Sequence, residues 1–519
     1  MEANFVIDWV NFHQEKYIQH RLEDIILPPY LSQCRWFAGK SRKIQKLKIR
    51  YAIPVSMTDA LMYVLVFEAN YAEGNAEHYL LPLSYLPKGT EIEAKAVITE
   101  ASIDDQDVIL IDALYDARYR MHLLQQIGDA KTERHENGDF VAIRGKALAE
   151  KGDLSALASV VPAIDSSNSP MIFGGKYFLK LYRKLFRETN PEVEMLEFIT
   201  EYSDFANIPR FAGSLTWRRQ GIPDITLGMM VEMIENEKDA WSKTGDYLND
   251  FLYAFLGGDF NIKEDIFTKI GLLGQRTAEM HRALFARRGP EDFRAEPFDR
   301  TYRRYLHRKF EDLLERRYEL LTDNYQKLDA QAQELAWVFM DSKNLIDDFI
   351  DQILTRPLES LRTRIHGDYH LGQVLATHDG DYTIIDFEGE PESSITDRKI
   401  KHSPLKDVAG MIRSYHYAVS AKLFNAKETE QYDIKTLEKA SDRWYKLIRD
   451  TYLEDYFNVF GSPHELFKNN TEINYLLQFH LLEKAIYELG YELNSRPTWV
   501  NIPLKGIVEV IREIEKMKS

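Results

Sequence analysis

RIHGDYHLGQVLATHDGDYTIIDFEGEP, residues 364–391, decides how the rest of the chain is read. An apolar lead-in ends at His366-Gly367-Asp368, passes His370 and Gln373, and enters a β-prone run, VLAT (374–377). Asp379-Gly380 is a strong hairpin-turn dipeptide, and the YTII that follows reads as the return strand. A turn centred there sets Gln373 opposite Asp386. Directly opposed residues hold their Cβ atoms about 4.5–5.5 Å apart, near enough for two side-chain oxygens to reach one cation. Hard oxygen donors that leave room for water and phosphate suit Mg²⁺. Asp368 precedes Gln373 by five residues and falls near the same point without being a ligand. Phosphoryl transfer needs a cation on the phosphates, a lysine on the same charges, and a carboxylate that orients and deprotonates the attacking hydroxyl. His366 and His370 offer a rival reading as ligands of a hydrolytic metal, yet they stand in a turn before a strand and no HExxH pattern accompanies them. As hydrogen bonders that brace a loop they need no metal.

The lysine is found in SSNSPMIFGGKYFLKLYR (166–183), two β-prone runs separated by Gly174-Gly175. Glycine supplies the positive φ of a tight turn. A two-residue loop there puts Phe173 opposite Lys176 and Ser169 opposite Lys180. Lys180 sits mid-strand between apolar neighbours, where an unpartnered ammonium is costly. Asn190-Pro191 reads as an N-cap followed by proline at the first helical position, opening PEVEMLEFITEY (191–202). Glu194 on that helix is the expected partner, which would set Lys180 on nucleotide phosphates while Ser167, Asn168 and Ser169 offer donors. The alternative is an edge-strand lysine in solvent and a surface glutamate.

Outward from these segments, residues 35–120 and 139–182 read as β-rich, and the chain from about 240 onward as mostly helix, interrupted by the hairpin near 374–386. The expected fold class is α+β, in several lobes; 519 residues suffice for two to four domains. The net charge of −16 repels phosphate backbones and speaks against a general nucleic-acid binder. Cys34 is the single cysteine, so intrachain disulfides and cysteine-based zinc sites are excluded. No run of 18 uninterrupted apolar residues suggests a membrane span, and MEANFVIDWV does not read as a secretory signal, so a soluble intracellular protein is expected. Asp407 opens the helical run DVAGMIRSYHYAV, where a first-turn role and a brace on the 366–368 loop are both open. In INYLLQFHLLEKAIYELGYEL (473–493), Lys484, Tyr487, Glu488 and Tyr491 share one helix face. Such a stripe is either a sugar platform or a partly buried face, and Arg413 has the same standing.

HGDYHLGQ followed by DFE resembles the phosphotransfer motifs of the aminoglycoside-phosphotransferase-like kinases. Within that group the chain is similar to the maltokinase family through RWFAGK (35–40), FLKLYRK (178–184) with NPEVE (190–194), and TAEMHRAL (277–284). The likeness continues in HGDYHLGQVL (366–375), IDFEGEP (385–391), SPLKDVAGMIRS (403–414) and EKAIYELGYELNSRPTWVNIPLKGI (483–507).

The resemblance implies a kinase-like bilobal fold behind a β-rich cap: residues 1–125 as cap, 126–235 as the nucleotide-binding N-lobe, and 236–519 as a helical C-lobe with catalytic loop and sugar site. It makes Asp368 the catalytic base, Gln373 and Asp386 the Mg²⁺ ligands, and Lys180, braced by Glu194, the phosphate lysine. Ser167, Asn168 and Ser169 would cover the phosphates of ATP, and backbone groups of Glu232, Met233 and Ile234 would meet adenine at a hinge in LGMMVEMI (227–234). Asp368, Arg413, Tyr487, Glu488 and Tyr491 would hold the sugar. The implied reaction is cytoplasmic phosphorylation of maltose at its anomeric hydroxyl, with a link to trehalose synthase in trehalose or glycogen metabolism. Phosphorylation of glucosamine or of another sugar or aminoglycoside is the alternative within the same chemistry, and a non-catalytic nucleotide-binding scaffold the alternative outside it. Two departures touch the phosphate loop: Ser166 stands where the family has glutamine, and Pro170, lacking an N–H, replaces a small polar residue. The chain also exceeds the family's usual length.

Overall fold

The structure, a computed structural model, describes the chain apart from residues 1–4, 58–59, 150–153, 164–167, 257, 259–260, 286–289, 392, 426–433, 462–463 and 519. It is an α+β protein of two compact units, Met1–Glu201 with Pro209–Ile234, and Tyr202–Ile208 with Glu235–Ser519.

The first unit is built on two sheets. One runs in the antiparallel order Ile44–Ser56, Leu61–Tyr71, Glu77–Pro87, Gln106–Asp112, Val97–Ile103. Its second strand, LMYVLVFEANY, is apolar almost without alternation because both faces are covered. Tyr63, Leu65, Phe67 and Ala69 pack with Trp9, Phe12, Leu31 and Phe37 of the N-terminal segment. Met62, Val64 and Val66 share the opposite core with Leu179, Leu181, Leu215 and Met230 of the other sheet. Cys34 is buried with the first group, and burial pushes its thiol up to about 12.

The second sheet has seven strands in the order Thr132–Glu133, Asp139–Arg144, Phe211–Arg218, Ile225–Glu232, Tyr177–Leu181, Ser169–Phe173, Ser159–Val160. Tyr177–Leu181, which carries Lys180, is therefore an interior strand, and the edge-lysine alternative fails. The hairpin before it differs in register from the expected one. Gly174 and Gly175 do take positive φ, 57° and 65°, and Lys176 N–H closes the turn on Phe173 O at 2.9 Å. Pairing nevertheless resumes at Tyr177 with Phe173, so Lys176 lengthens the loop and Lys180 faces Pro170 rather than Ser169.

The second unit is mainly helical. Helix Glu264–Leu284 lies against Ile434–Phe460, and Gly274 lets them approach: a Cβ there would stand 2.5 Å from Tyr452 O. A small sheet, Asn236–Asp239 with Val374–Thr377 and Tyr382–Ile384, carries the expected hairpin. Its register is also one residue off, with Ala376 paired to Tyr382 and Val374 to Ile384. The loop holds three residues and ends on Gly380 at φ 81°, where the chain must turn left-handed. Among the described residues no helix is long and apolar enough to cross a membrane.

Candidate active site

The 366–373 loop of the second unit hangs on one buried carboxylate. Asp407, 2% exposed, accepts the backbone N–H of His366 (2.7 Å) and His281 Nε2–H (3.1 Å) at Oδ2, and the Gly367 N–H (2.9 Å) at Oδ1. Burial opposes its charge, but His281 and the backbone N–H groups outweigh that and hold the carboxyl below its ordinary range. Its place in the first turn of Leu405–Asn425 and its brace on the loop are thus one arrangement. His281 Nδ1 in turn meets Tyr456 OH at 2.8 Å.

Both histidines of the loop are engaged in bracing it. His366 Nε2–H donates to Ile385 O (2.8 Å), and His370 Nδ1 accepts the Gly372 N–H (3.1 Å), which caps the short turn Leu371–Gln373. A two-histidine metal site is therefore not what they form. Asp386 does meet Gln373, Nε2 to Oδ2 at 3.0 Å, although the residue opposite Gln373 along the backbone is Ile385, whose N–H reaches Gln373 O. The contact survives the register change because Asp386 leaves the pleat, with a left-handed φ of 66° that is uncommon outside glycine. Asp386 and Glu388 bring carboxylate oxygens within 4.8 Å of each other. This set of hard, part-exposed oxygens is the chemistry Mg²⁺ requires, and Glu388 is a member that the hairpin arithmetic overlooked.

Asp368 opens onto a cavity of about 310 Å³, within the range of small-molecule sites. Glu390, Arg398, Glu483, Lys484 and Tyr487 are among the residues around it. Lys484 Nζ stands 3.9 Å from Asp368 Oδ1 and 4.0 Å from Glu390 Oε2, and Tyr487 OH donates to Glu390 Oε1 at 3.1 Å. Burial alone would lower the Lys484 pKa, but Glu390 and Asp368 raise it above the ordinary value. Glu483 is held far below the usual carboxylate range, since Lys406 and His480 outweigh its burial.

Of the expected sugar residues, Asp368 and Tyr487 line this cavity; Arg413, Glu488 and Tyr491 do not. Arg413, 2% exposed, donates to Glu488 Oε2 from Nε (2.9 Å) and Nη2 (2.6 Å) and faces His416 at 2.7 Å. A guanidinium so placed holds two helices together, which is why it reads as functional in sequence. Tyr491 is half-exposed beneath Arg496. Lys484 belongs to the helix stripe read in the sequence, a turn before Tyr487, while Glu390 was within reach of the same reasoning because it ends the DFEGE run.

In the first unit, the carboxylate on Lys180 is Glu192, not the expected Glu194. Nζ donates to both Glu192 oxygens at 2.8 and 2.9 Å, and Tyr182 OH adds a bond at 3.1 Å. Asn190 is the N-cap as expected, its Oδ1 accepting the Glu192 N–H at 2.8 Å. On helix Pro191–Tyr202, Glu192 shares the buried face of Met195, Leu196 and Ile199, whereas Glu194 lies about 200° away. Asn168 and Ser169 lie at the start of the neighbouring strand, while Ser167 lies outside the described residues. At the expected hinge, Glu232 N–H bonds Arg210 O (3.0 Å) and Met233 N–H bonds Lys176 O (2.8 Å). Those two donors are engaged within the unit.

Residues 30–116 match the maltokinase N-terminal cap domain, and residues 265–389 match the phosphotransferase enzyme family. The chain carries a maltokinase-type cap and a phosphotransferase-family domain. A glucosamine kinase of Streptacidiphilus jiangxiensis is 23% identical over 418 residues, covering 76% of this chain and 86% of that one. Two solved structures share the fold over 93% of this capped phosphotransferase. Glucosamine kinase in crystal form A has a TM-score of 0.65 at 17% identity, with 97% of its own chain covered. Glucosamine kinase in complex with glucosamine, ADP and inorganic phosphate has 0.63 at 17%, with 98% covered. The kinase-like fold is thus common to these proteins and this chain, and the chain is a phosphotransferase that acts on a hydroxyl.

Proposed function

We propose that the chain is an ATP- and Mg²⁺-dependent sugar kinase that phosphorylates the anomeric hydroxyl of maltose, releasing maltose 1-phosphate and ADP. It would act in the cytoplasm, beside trehalose synthase in trehalose and glycogen metabolism. Residues 1–125 would serve as cap, 126–235 as nucleotide lobe, and 236–519 as catalytic and sugar-binding lobe. The observation that carries the reading is Asp368 on the wall of a cavity of about 310 Å³ that several charged side chains line, five residues from Gln373 and its contact with Asp386.

Asp368 takes the proton of the sugar hydroxyl as its oxygen attacks the γ-phosphorus in line. Lys484, with its ammonium 3.9 Å from Asp368 Oδ1, sets a positive charge beside that carboxylate at the cavity wall. Asp407 holds the backbone on the N-terminal side of Asp368, so little is left to reorganise when the hydroxyl arrives. Lys180, oriented by Glu192, places its ammonium on the phosphates. Gln373 and Asp386, with Glu388 close by, would hold the Mg²⁺, which supplies charge neutralisation across the phosphate oxygens.

The relatives named glucosamine kinase favour a second reading, with an amino sugar as acceptor. Labelled ATP with maltose, glucose, glucosamine and kanamycin separates the two. Maltose should give the highest kcat/KM, the product being alkali-stable and non-reducing. Preference for glucosamine would replace the acceptor, and nucleotide binding without transfer to any sugar would make the chain a scaffold.

A further inference from the structure

Three residues beyond Lys180, the chain buries an arginine completely. Arg183 is 0% exposed and joins three separate stretches of the first unit. Its Nη2 donates to Asp112 Oδ2 at 2.6 Å, at the end of a strand of the cap sheet. Its Cζ lies 4.9 Å from the ring centroid of Trp36, in the N-terminal segment. Its Nε donates to Ser169 Oγ at 2.7 Å, at the first position of the strand that faces Lys180. Its own carbonyl accepts Leu80 N–H at 2.7 Å, and Lys184–Leu185 then joins the cap sheet opposite Tyr79 and His78. The polypeptide that carries the lysine thus becomes part of the cap within four residues.

Apolar contact already holds these sheets together, through Leu80, Leu179 and Leu181 among others. A buried ion pair adds little to that adhesion, because desolvation cancels most of its attraction. What it adds is geometry. The Ser169 oxygen is fixed as an acceptor, with its proton left to donate, and Pro170 beside it has no N–H with which to fix itself. Ser169 pairs with Leu181 and Pro170 with Lys180, so the position of Ser169 sets the strand beneath the lysine.

We propose that Arg183 is a positioning residue for the nucleotide, and that Trp36 and Asp112 of the cap act through it on Ser169 and Lys180. The cap thereby sets how tightly the triphosphate is held, a role that rests on Lys180 being the phosphate lysine. A cavity of about 350 Å³ opens beside the group, lined in part by Trp36, Asp112, Asn168, Ser169 and Arg183. Trimming Trp36 therefore enlarges an existing space rather than emptying the core.

The test uses the full chain with Trp36→Leu, Ser169→Ala and the double variant. ATP affinity is measured by calorimetry, beside the KM values for ATP and for the sugar. Each single change should weaken ATP about three- to tenfold, the scale of one lost hydrogen bond, with the sugar KM within about twofold. The double variant should be no weaker than the worse single one, because both break the same path. Should Trp36→Leu not fold, Asp112→Asn takes its place as the cap variant. Wild-type ATP affinity in a folded cap variant overturns the proposal, and so does full additivity. Failure of the wild-type chain to phosphorylate any sugar counts against the proposed function instead, since calorimetry still reads the coupling.

Discussion

Asparagine in place of Asp407 tests whether the catalytic loop is held as described. Asp407 accepts three hydrogen bonds with two oxygens, and an amide has only one oxygen to offer. If the amide oxygen takes the Oδ2 position, His366 N–H and His281 are satisfied and Gly367 N–H faces an NH₂ group. If it is turned over, the imidazole of His281 can adapt through its bond to Tyr456, but His366 N–H is then stranded. Either way one backbone donor within two residues of Asp368 loses its partner. A charge-assisted bond of about 1.5–3 kcal/mol is lost and an unsatisfied donor is left, so the expected cost is about 2–4 kcal/mol. Domain stability is about 5–15 kcal/mol, and the variant should therefore fold. Because Gly367 and Asp368 are adjacent, the loop shift should lower kcat about 10²-fold. The assays are urea unfolding of the second unit's transition and steady-state transfer at saturating ATP. The pH dependence has a defined sign. Asp407 is depressed in the folded state, so its stabilisation is complete above the ordinary value of 3.8 and is lost as pH falls below that through the folded value. Wild-type stability should accordingly fall more steeply than that of Asp407→Asn below about pH 4. A variant with wild-type unfolding and wild-type kcat would refute the reasoning.

Glu192→Gln should cut kcat about 10–100-fold by releasing Lys180, while Glu194→Gln stays within about threefold; steady-state rates of the pair check this. Asp368→Asn should lower kcat by about 10²–10⁴ with the KM for ATP little changed, and an unchanged kcat would remove the base. Gly274→Ala should cost about 1–3 kcal/mol in urea unfolding, since its Cβ would meet Tyr452 O at 2.5 Å, with kcat unaltered in the folded fraction.

How far the site was legible is clearest in the two hairpins. Both were expected as two-residue loops, from Gly174-Gly175 and Asp379-Gly380, and both are three-residue loops. Glycine marks where a chain may turn left-handed but not how many residues precede the next paired position. Ladder pairing then decides, and it moved each register by one residue. In the first hairpin this exchanged the residue opposite Lys180. In the second it left the Gln373–Asp386 contact intact, because a positive φ takes Asp386 out of the pleat. Local composition carried the polar motif, and the strand geometry inferred for it was dispensable.

The Glu192 and Arg413 outcomes have a common physical cause. A charged residue in an apolar helix or strand advertises a partner, but the partner is chosen by which helix face is buried. For Pro191–Tyr202 that face was readable: Met195, Leu196 and Ile199 fall three, four and seven residues after Glu192, so the inward carboxylate had to be Glu192. For Arg413 the same logic yields a buried pair with Glu488, and burial without access to the cavity makes that pair structural. Lys484 and Glu390 differ from it in one respect, which is that their charges meet at the edge of a space large enough for a sugar. Access, rather than charge or its pairing, separates the residues that can touch an acceptor from those that hold the wall behind it.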